Sequence, residues 1–291
     1  TRTGSINESI RLSNGLIAVG TQYGGVFLFD ESGQLVQHLN KDQGLNNRTV
    51  LSMFEDEHRN LWIGHNNGIS LVELSLPFQW INEQSGLPGT GYDAFLDDDI
   101  LYLGTNNGLY AKDMDQTAYE ELLQIPGTED QAYFINQVNG INILGHQRGT
   151  FLIKEKSSQH ISEIPGAWTF LSLRNWPGYI LGGNYDGLTL FKQENEQLIF
   201  VRRLKGFSES SRVMEQDMDG TIWMTHGYKG VYRIKLNEAL DSVSVVKYST
   251  RDGLPSDLLI NVWSIANRLV FSTVSGIYMY DRESDTFVPD P

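Results

Sequence analysis

The sequence predicts an all-β fold, a seven-bladed β-propeller with four antiparallel strands in each blade. Three observations indicate this class. A hairpin pattern recurs seven times, successive copies lie 38 to 46 residues apart, and no stretch sustains the periodicity of an α-helix. A repeat of about 40–45 residues that supplies four short strands is typical of a propeller blade.

The recurring element is a β-hairpin of two apolar strands joined by a turn that ends in glycine. In LWIGHNNGISLVEL, Gly68 supplies the positive φ that a tight hairpin turn requires. The seven hairpins occupy residues 17–30, 61–74, 101–113, 142–154, 179–192, 222–235 and 269–281, with turn glycines Gly25, Gly68, Gly108, Gly149, Gly187, Gly230 and Gly276. Their runs of consecutive apolar residues indicate sheets that are covered on both faces.

Each hairpin is predicted to supply strands B and C of a blade, with strand A before it and strand D after it. Strand A is predicted at Ser5–Leu12, Thr49–Phe54, Arg212–Gln216 and Leu258–Ile265, and strand D at Leu35–Leu39, Phe78–Ile81 and Val243–Tyr248. Residues 285–291 are expected to form the last strand D, although Thr1–Gly4 could pair there instead. The blades, expected to form one domain over 1–291, lie at about 1–41, 42–82, 83–123, 124–163, 164–204, 205–248 and 249–291.

Three of the predicted D–A connections share a Gly-Leu pair. Gly44, Gly86 and Gly253 are each followed by leucine and then by asparagine or proline. We expect these glycines to adopt backbone angles that other residues resist.

The composition narrows the classes of partner. A net charge of −14 argues against nucleic acid and against an anionic membrane surface, because both attract clustered Lys and Arg; neutral or cationic ligands remain open. The absence of cysteine excludes disulfides and thiolate metal sites. No apolar run is long enough to cross a bilayer, so no membrane insertion is expected of this segment. No catalytic motif, cofactor site or metal site is predicted.

Two segments carry a more specific pattern, EDEHRNLWIGHNNGI at 55–69 and QDMDGTIWMTHGYKGV at 216–231. Each combines an acidic turn, a tryptophan in an apolar strand and a glycine turn. This pattern resembles the two-component regulator propeller repeat. Blades four and seven depart from it, with Ile143 and Val270 in the tryptophan position.

The resemblance implies a function that composition and spacing do not show. Propellers of this family form the extracytoplasmic sensor region of membrane-spanning bacterial regulators, and several members sense oligosaccharides. Often two propellers precede a β-sandwich, a membrane helix and either a histidine kinase or a helix-turn-helix output. We therefore expect a periplasmic sensor segment of a longer receptor, with a carbohydrate ligand, contacts to adjacent domains and a possible homodimer.

The candidate ligand site follows from propeller geometry. The B–C turns and the D–A connections are expected at one end, where Tyr23, Tyr185 and Tyr228 occupy the same position in three longer turns. Exposed tyrosines could stack on sugar rings. Further candidate ligand contacts are Gln22, Asn184, Asp186, His226, Lys229 and Arg251. The alternative is that the tyrosines only cover neighbouring turns.

His65, His146 and His226 share one position of the repeat. Zinc would need their nitrogens about 2 Å from one point, whereas alternate blades hold them farther apart. We therefore expect local hydrogen bonds, with a single histidine as the base of a propeller lyase as the alternative. Asp217 and Asp219 resemble the start of a calcium loop but lack its downstream glutamate, so an ordinary turn is expected.

The tryptophans divide into two groups. Trp62, Trp223 and Trp263 lie on predicted strands and are expected in the core between blades. Trp80, Trp168 and Trp176 lie in a strand D or near loops, and one of them could reach a ligand.

Three functions remain open from the sequence. The first is a non-catalytic sensor that binds oligo- or polysaccharide. The second is a propeller lyase. The third is a structural dimerisation scaffold, in which another part of the receptor binds the ligand.

Overall fold

The computed structural model describes residues 4–74, 81, 83, 86–114 and 122–290. Within them, strands that follow one another in the chain pair into seven antiparallel sheets. The chain divides into two compact parts, here called unit 1 (Thr1–Leu87 and Lys112–Leu122) and unit 2 (Pro88–Ala111 and Leu123–Pro291).

Unit 1 contains the first two sheets. Sheet 1 consists of β1 (Ile6–Arg11), β2 (Ile17–Thr21), β3 (Val26–Phe29) and β4 (Leu35–Leu39). Sheet 2 consists of β5 (Val50–Glu55), β6 (Asn60–His65) and β7 (Ile69–Glu73). Its predicted strand D, Phe78–Ile81, lies outside the described residues except for Ile81. Leu28, Leu61 and Ile63 are buried in one apolar cluster that joins the two sheets.

Sheets 3 to 7 belong to unit 2, apart from the last two residues of β10. Sheet 3 consists of β8 (Gly91–Asp97), β9 (Ile100–Thr105), β10 (Gly108–Asp113) and β11 (Leu123–Gln124), and sheet 4 of β12 (Ala132–Val138), β13 (Ile141–His146), β14 (Gly149–Lys154) and β15 (Ser157–Ser162). Sheet 5 consists of β16 (Thr169–Ser172), β17 (Tyr179–Gly183), β18 (Leu188–Glu194) and β19 (Gln197–Arg203), and sheet 6 of β20 (Val213–Gln216), β21 (Ile222–His226), β22 (Gly230–Leu236) and β23 (Val243–Tyr248). Sheet 7 consists of β24 (Asn261–Ile265), β25 (Arg268–Thr273), β26 (Gly276–Asp281) and β27 (Thr286–Pro289).

The core of unit 2 lies between consecutive sheets. Separate apolar clusters contain Tyr102 between sheets 3 and 4, Phe191 between sheets 4 and 5, Met224 between sheets 5 and 6, and Phe271 between sheets 6 and 7. All six residues of β13 are buried, as the prediction of sheets covered on both faces requires. The same prediction was wrong for the apolar run Ile277–Tyr280 of β26, where Ile277 is half-exposed and none of the four residues is buried. A strand packed on both faces needs no polar side.

The predicted hairpins are confirmed in all seven sheets, and each of their turn glycines has a positive φ. Gly44 and Gly253 end two 3-10 helices, Lys41–Gln43 and Thr250–Asp252, with φ of 98° and 91°. Gly86 has φ 90°, so the expectation for the three connections also holds.

Two strand predictions concern the end of the chain. β27 pairs with β26, so sheet 7 is built from consecutive strands, as residues 285–291 predicted. The predicted strand at Leu258–Ile265 was too long, because the observed strand begins at Asn261. Leu259 has a φ of 55°, in the left-handed region that interrupts an extended strand.

Strand A has one edge that no strand of its own sheet covers. In three places a carboxylate from the preceding sheet accepts a hydrogen bond from a backbone N–H on that edge. The pairs are Glu8 with Met53, Asp93 with Ile135 at 2.9 Å, and Glu215 with Ser264. These bonds satisfy donors that would otherwise remain unpaired on an inner edge.

The B–C turns contact the D–A connections that follow their sheets. In sheet 5, the Gly187 N–H donates to the Glu209 carbonyl at 3.0 Å, and the Glu209 carboxylate pairs with Lys229 of the next B–C turn at 2.6 Å. In unit 1, the Gly25 N–H donates to the Arg48 carbonyl at 2.8 Å. Within each unit these segments therefore lie at one end of the sheets, as predicted.

The expectation for the tryptophans is confirmed only for Trp223, which is buried among the aromatic residues of sheets 6 and 7. Trp62 and Trp263 are half-exposed, so placing them in the core was wrong. Side chains alternate along a strand, and the neighbours of Trp62 on β6 are the ones that point into the core of unit 1. Trp176 packs against the core cluster of sheets 5 and 6, and Trp80 lies outside the described residues.

Candidate functional site

The best candidate site in unit 2 is a group of four aromatic residues and one arginine, here called the aromatic cluster. Its members come from four neighbouring sheets and lie at the beginning of strand A or in a B–C turn. They are Tyr92, Tyr133, Trp168, Tyr185 and Arg212.

β-bulges position two of these rings. The register of β8 against β9 shifts between Gly91 and Asp93, and that of β12 against β13 shifts between Ala132 and Phe134. Tyr92 and Tyr133 are the residues left out of the ladder. A bulge turns a side chain away from its regular direction, which explains how both tyrosines contact each other at one end of their strands.

The aromatic rings form a continuous chain of contacts. Tyr133 lies at the centre, with its ring centroid 3.9 Å from Trp168, 5.5 Å from Tyr92 and 6.1 Å from Tyr185. The centroids of Trp168 and Tyr185 are 5.4 Å apart. Tyr133 is only 8% exposed, whereas Tyr92 and Tyr185 are 41% and 40% exposed. The buried ring therefore supports two rings that present apolar surface to solvent.

Arg212 covers one face of Trp168. Its guanidinium carbon lies 4.4 Å from the centroid of the indole ring, within the range of a cation–π interaction. The side chain of Arg212 is exposed, and it makes no ion pair within the described residues. The indole Nε1 of Trp168 is buried and has no hydrogen-bond partner in the described part of the chain. The cluster thus contains two kinds of unused N–H donor.

The tyrosine hydroxyls form a short network. The hydroxyls of Tyr133 and Tyr185 are hydrogen-bonded to each other, and the Tyr133 hydroxyl also contacts Oε1 of Gln131 at 2.6 Å. Burial, followed by the bond to Tyr185, raises the pKa of Tyr133. The hydroxyl consequently stays protonated and neutral at any physiological pH.

Tyr185 supports both of the readings that the sequence left open. Its ring packs over Gly166, where an added Cβ would approach the ring within 2.1 Å, so the tyrosine does cover a neighbouring turn. It is also the one of the three predicted ligand-binding tyrosines that joins the aromatic cluster within the described residues. Tyr23 repeats the packing in unit 1, where its ring lies against Gly4.

The other predicted ligand residues of unit 2 are mostly engaged in local pairs. Asp186 pairs with Arg203, and Lys229 with Glu209. Asn184 is buried and accepts a hydrogen bond from Thr189, so it shapes its turn instead of facing a ligand. Tyr228, 75% exposed, and Arg251, also exposed, have no ring contact or ion pair with the aromatic cluster in the described residues. Whether they bind a ligand remains a prediction.

The three histidines make local hydrogen bonds, as expected. His65 contacts the Thr49 carbonyl at 2.7 Å through Nδ1. Nδ1 of His146 and of His226 each accepts a backbone N–H two residues ahead. His146 is fully buried and cannot reach a substrate. Burial, followed by the charge of Lys229, lowers the pKa of His226.

The acidic turn of sheet 6 is paired with an arginine. The guanidinium of Arg282 lies 2.6 Å from Asp217 and 3.1 Å from Asp219. A cation from the chain itself therefore occupies the position that calcium would need. The described residues contain no group of three acidic, histidine or cysteine side chains suited to a metal.

Sequence reasoning placed Trp168 near a ligand but missed Tyr92, Tyr133 and Arg212. A signal was present: aromatic or arginine side chains stand at the start of strand A in four consecutive repeats. The β-bulges that set the side-chain directions of Tyr92 and Tyr133 cannot be recognised in the sequence.

Residues 44–67 match the family model described as the two component regulator propeller. This match confirms the resemblance drawn from the repeat at 55–69. None of the curated proteins is significantly similar to the chain in sequence.

The chain is similar in fold to two solved structures from B. thetaiotaomicron. One is the extracellular domain of a protein described as a hybrid two component system, with a TM-score of 0.69, 15% identity and 97% of this chain covered. The other is the extracellular domain of a protein described as a one component system, with a TM-score of 0.55, 17% identity and 98% of this chain covered. The chain spans 40% and 43% of their respective lengths.

The fold class is confirmed as all-β and as a seven-bladed propeller of antiparallel sheets. Across the described residues, no helix combines the length and the hydrophobicity needed to span a membrane.

Proposed function

We propose, from the premise that residues 44–67 are a two component regulator propeller repeat, that this chain is the sensing part of a signal-transduction regulator. In this proposal the chain lies outside the cytoplasm, binds an oligosaccharide and does not transform it. The aromatic cluster is the binding site.

The observation that carries the proposal is the arrangement of the rings. Two half-exposed tyrosines and an indole converge around a buried tyrosine, with the exposed guanidinium of Arg212 beside them. The C–H faces of sugar rings stack on aromatic planes, and sugar hydroxyls accept hydrogen bonds from N–H groups. The site is also built by four sheets at once, so a bound sugar would contact elements that are far apart in sequence.

The signalling step requires that the ligand favour one of two states of the receptor. A ligand shifts such an equilibrium only by its difference in affinity for the two states. Because the chain spans about two fifths of the extracellular domains it resembles, we place the output in other parts of the protein, as a histidine kinase or a DNA-binding domain. Adjacent domains and a second copy of the receptor are the partners in this scheme.

The proposal is tested by titrating the purified chain with a panel of plant and host oligosaccharides in a calorimeter. We expect saturable binding to at least one of them without the appearance of shorter products. Trp168→Ala should weaken that binding by about tenfold, because it removes the ring that contacts Tyr185 and holds Arg212, and each such contact is worth roughly 0.5–1.5 kcal/mol. Trp263→Ala is the matched control, since Trp263 is half-exposed and lies outside the aromatic cluster.

Two results would contradict this function, and a third would contradict the location of its site. Release of unsaturated sugar products would indicate the lyase, and His226→Ala would then abolish turnover. Absence of any binding together with self-association in solution would favour the scaffold. Binding that Tyr228→Ala weakens and Trp168→Ala leaves unchanged would move the site to the turn of sheet 6.

A further inference from the structure

We infer that the aromatic cluster selects an acidic oligosaccharide, one that carries a carboxylate, and that Arg212 is the residue that recognises the acidic group. This inference rests on the function proposed above and names the chemical class of its ligand.

The first argument is the unpaired state of Arg212. Five other arginines of unit 2 have carboxylate partners within the described residues: Arg148 pairs with Glu129 and Asp130, Arg203 with Asp186, Arg233 with Asp285, Arg268 with Asp290 and Arg282 with Asp217 and Asp219. Arg174, Arg202 and Arg251 are exposed and also have no carboxylate partner in that part of the chain, so Arg212 is distinguished from them by its position on Trp168. Arg212 stacks on Trp168, and its side-chain N–H groups have no hydrogen-bond acceptor among the described residues.

The second argument excludes a ligand of positive charge. Four aromatic rings around one point could bind a cationic ligand through cation–π interactions. Here the guanidinium of Arg212 already lies over the indole of Trp168, so a second cation would meet both an occupied ring face and a like charge. A cationic ligand is therefore disfavoured at this position.

The third argument is the excess of donors. The exposed guanidinium of Arg212 can only donate hydrogen bonds. The indole N–H of Trp168 is buried, so the guanidinium is the donor that a ligand would reach. The pKa of Tyr133 is raised, so its hydroxyl adds no negative charge. A carboxylate offers only acceptors and fits the planar fork of a guanidinium through two parallel bonds.

The net charge alone favours a neutral or cationic ligand, and the local geometry outweighs it. At physiological ionic strength the field of a surface charge is screened over about 8 Å. An acidic group in contact with Arg212 would therefore respond mainly to that guanidinium and weakly to distant carboxylates.

The test compares acidic oligosaccharides with neutral partners of the same shape. The probes are oligomers of galacturonate, of mannuronate and of hyaluronan, each beside its carboxyl-reduced derivative, titrated into the purified chain. We expect one acidic series to bind about 10- to 100-fold more tightly than its reduced form, which is the range for charge-assisted hydrogen bonds. Raising the salt concentration should weaken the binding of the acidic ligand and leave the affinity of the reduced ligand unchanged.

Two variants connect the effect to Arg212. Arg212→Gln should lower the affinity for the acidic form more than the affinity for the reduced form, so that the ratio of the two affinities falls to about one. Arg212→Lys keeps the charge and loses the fork, so it should retain only part of the preference. Arg212 is exposed, and thermal unfolding of both variants checks that the fold is intact.

The outcomes separate this inference from the function on which it rests. Equal affinity for acidic and reduced forms, or binding of neutral oligosaccharides only, would overturn the acidic ligand and leave an oligosaccharide sensor in place. A preference that survives Arg212→Gln would overturn the role of Arg212. Absence of binding to every probe and to the wider panel would overturn both.

Discussion

At the residue scale, a single tryptophan controls the ionisation of a carboxylate. The indole Nε1 of Trp62 donates a hydrogen bond to Oδ2 of Asp56 at 2.8 Å. This bond, followed by the backbone N–H of Asn60, lowers the pKa of Asp56 to about 2. Asp56 and Trp62 both lie within residues 44–67, the segment that matches the family model, so an acidic residue and the tryptophan of this repeat form one hydrogen-bonded turn.

This contact makes a prediction about pH. Since the pKa is lower in the folded state than in the unfolded state, Asp56 contributes stability above its ordinary pKa of about 4, and that contribution disappears as the pH falls through about 2. Trp62→Phe should raise the pKa of Asp56 towards its ordinary value, as measured by a carboxyl NMR titration. Asp30, whose pKa is lowered chiefly by a hydrogen bond from Ser32, is the internal control and should not change. An unchanged pKa of Asp56 would show that the backbone bonds suffice.

At the same scale, the aromatic cluster shows how a candidate ligand-binding residue can lie in a structural position. Tyr133 begins an inner strand and is nearly buried, which is ordinary for a core residue. Only its contacts with Trp168 and Tyr185 distinguish it from a residue that merely packs.

At the element scale, the unit of the fold is a hairpin whose turn glycine approaches the next segment of backbone. Gly230 has a φ of 82°, and an added Cβ would lie 2.4 Å from the carbonyl oxygen of Tyr248. The positive φ and the short distance to the carbonyl oxygen each exclude a residue that carries a Cβ. The glycine in the pattern is therefore required by strand C meeting the chain that leaves strand D.

The turn of sheet 6 offers a matched pair of glycines. Gly230→Ala should destabilise the protein by about 1–3 kcal/mol, because it combines backbone strain with a steric clash. Gly227→Ala, three residues earlier, meets open space and has no positive φ, so it should change stability by less than about 1 kcal/mol. Urea unfolding of both variants measures the difference. Equal losses would mean that the turn tolerates no side chain anywhere and that Gly230 is not special.

At the scale of the whole molecule, the sheets differ in how completely they are covered. β13 of sheet 4 has six buried residues, whereas β24 of sheet 7 has one. In sheet 2 of unit 1, Phe54, Trp62 and Ile69 are exposed on one face. The sheets in the middle of unit 2 therefore have the most densely packed strands.

Native-state hydrogen exchange should reveal this difference. Amide protons of β13 and β17 are expected to exchange most slowly, and those of β6 and β24 faster, because local opening costs least where few apolar contacts are lost. Mass spectrometry of peptides that cover these strands provides the measurement. The control is β21, whose mostly buried pattern should place it with the slow group. Uniform exchange over all four strands would show that the chain opens only as one cooperative unit.

The sequence predicted the local parts of this fold well. The hairpins, the turn glycines and the Gly-Leu connections were correct because each depends on a few neighbouring residues and on backbone conformations that glycine adopts most easily. The ends of strands and the burial of side chains were predicted less accurately. Leu258–Leu259 did not join β24, and Trp62 and Trp263 proved half-exposed, because burial depends on which face of a strand another sheet covers.

The sequence by itself determined the repeat, the strand order within each blade and the family resemblance. All three depend on short patterns of residues that recur along the chain. Only the tertiary structure decided which side chains form the candidate site. Tyr92 and Arg212 lie 120 residues apart, and contacts through Tyr133 and Trp168 connect them. The physical reason is that stacked sheets bring the same position of successive repeats together, and bulges then set the direction of each ring, which no periodicity in the sequence records.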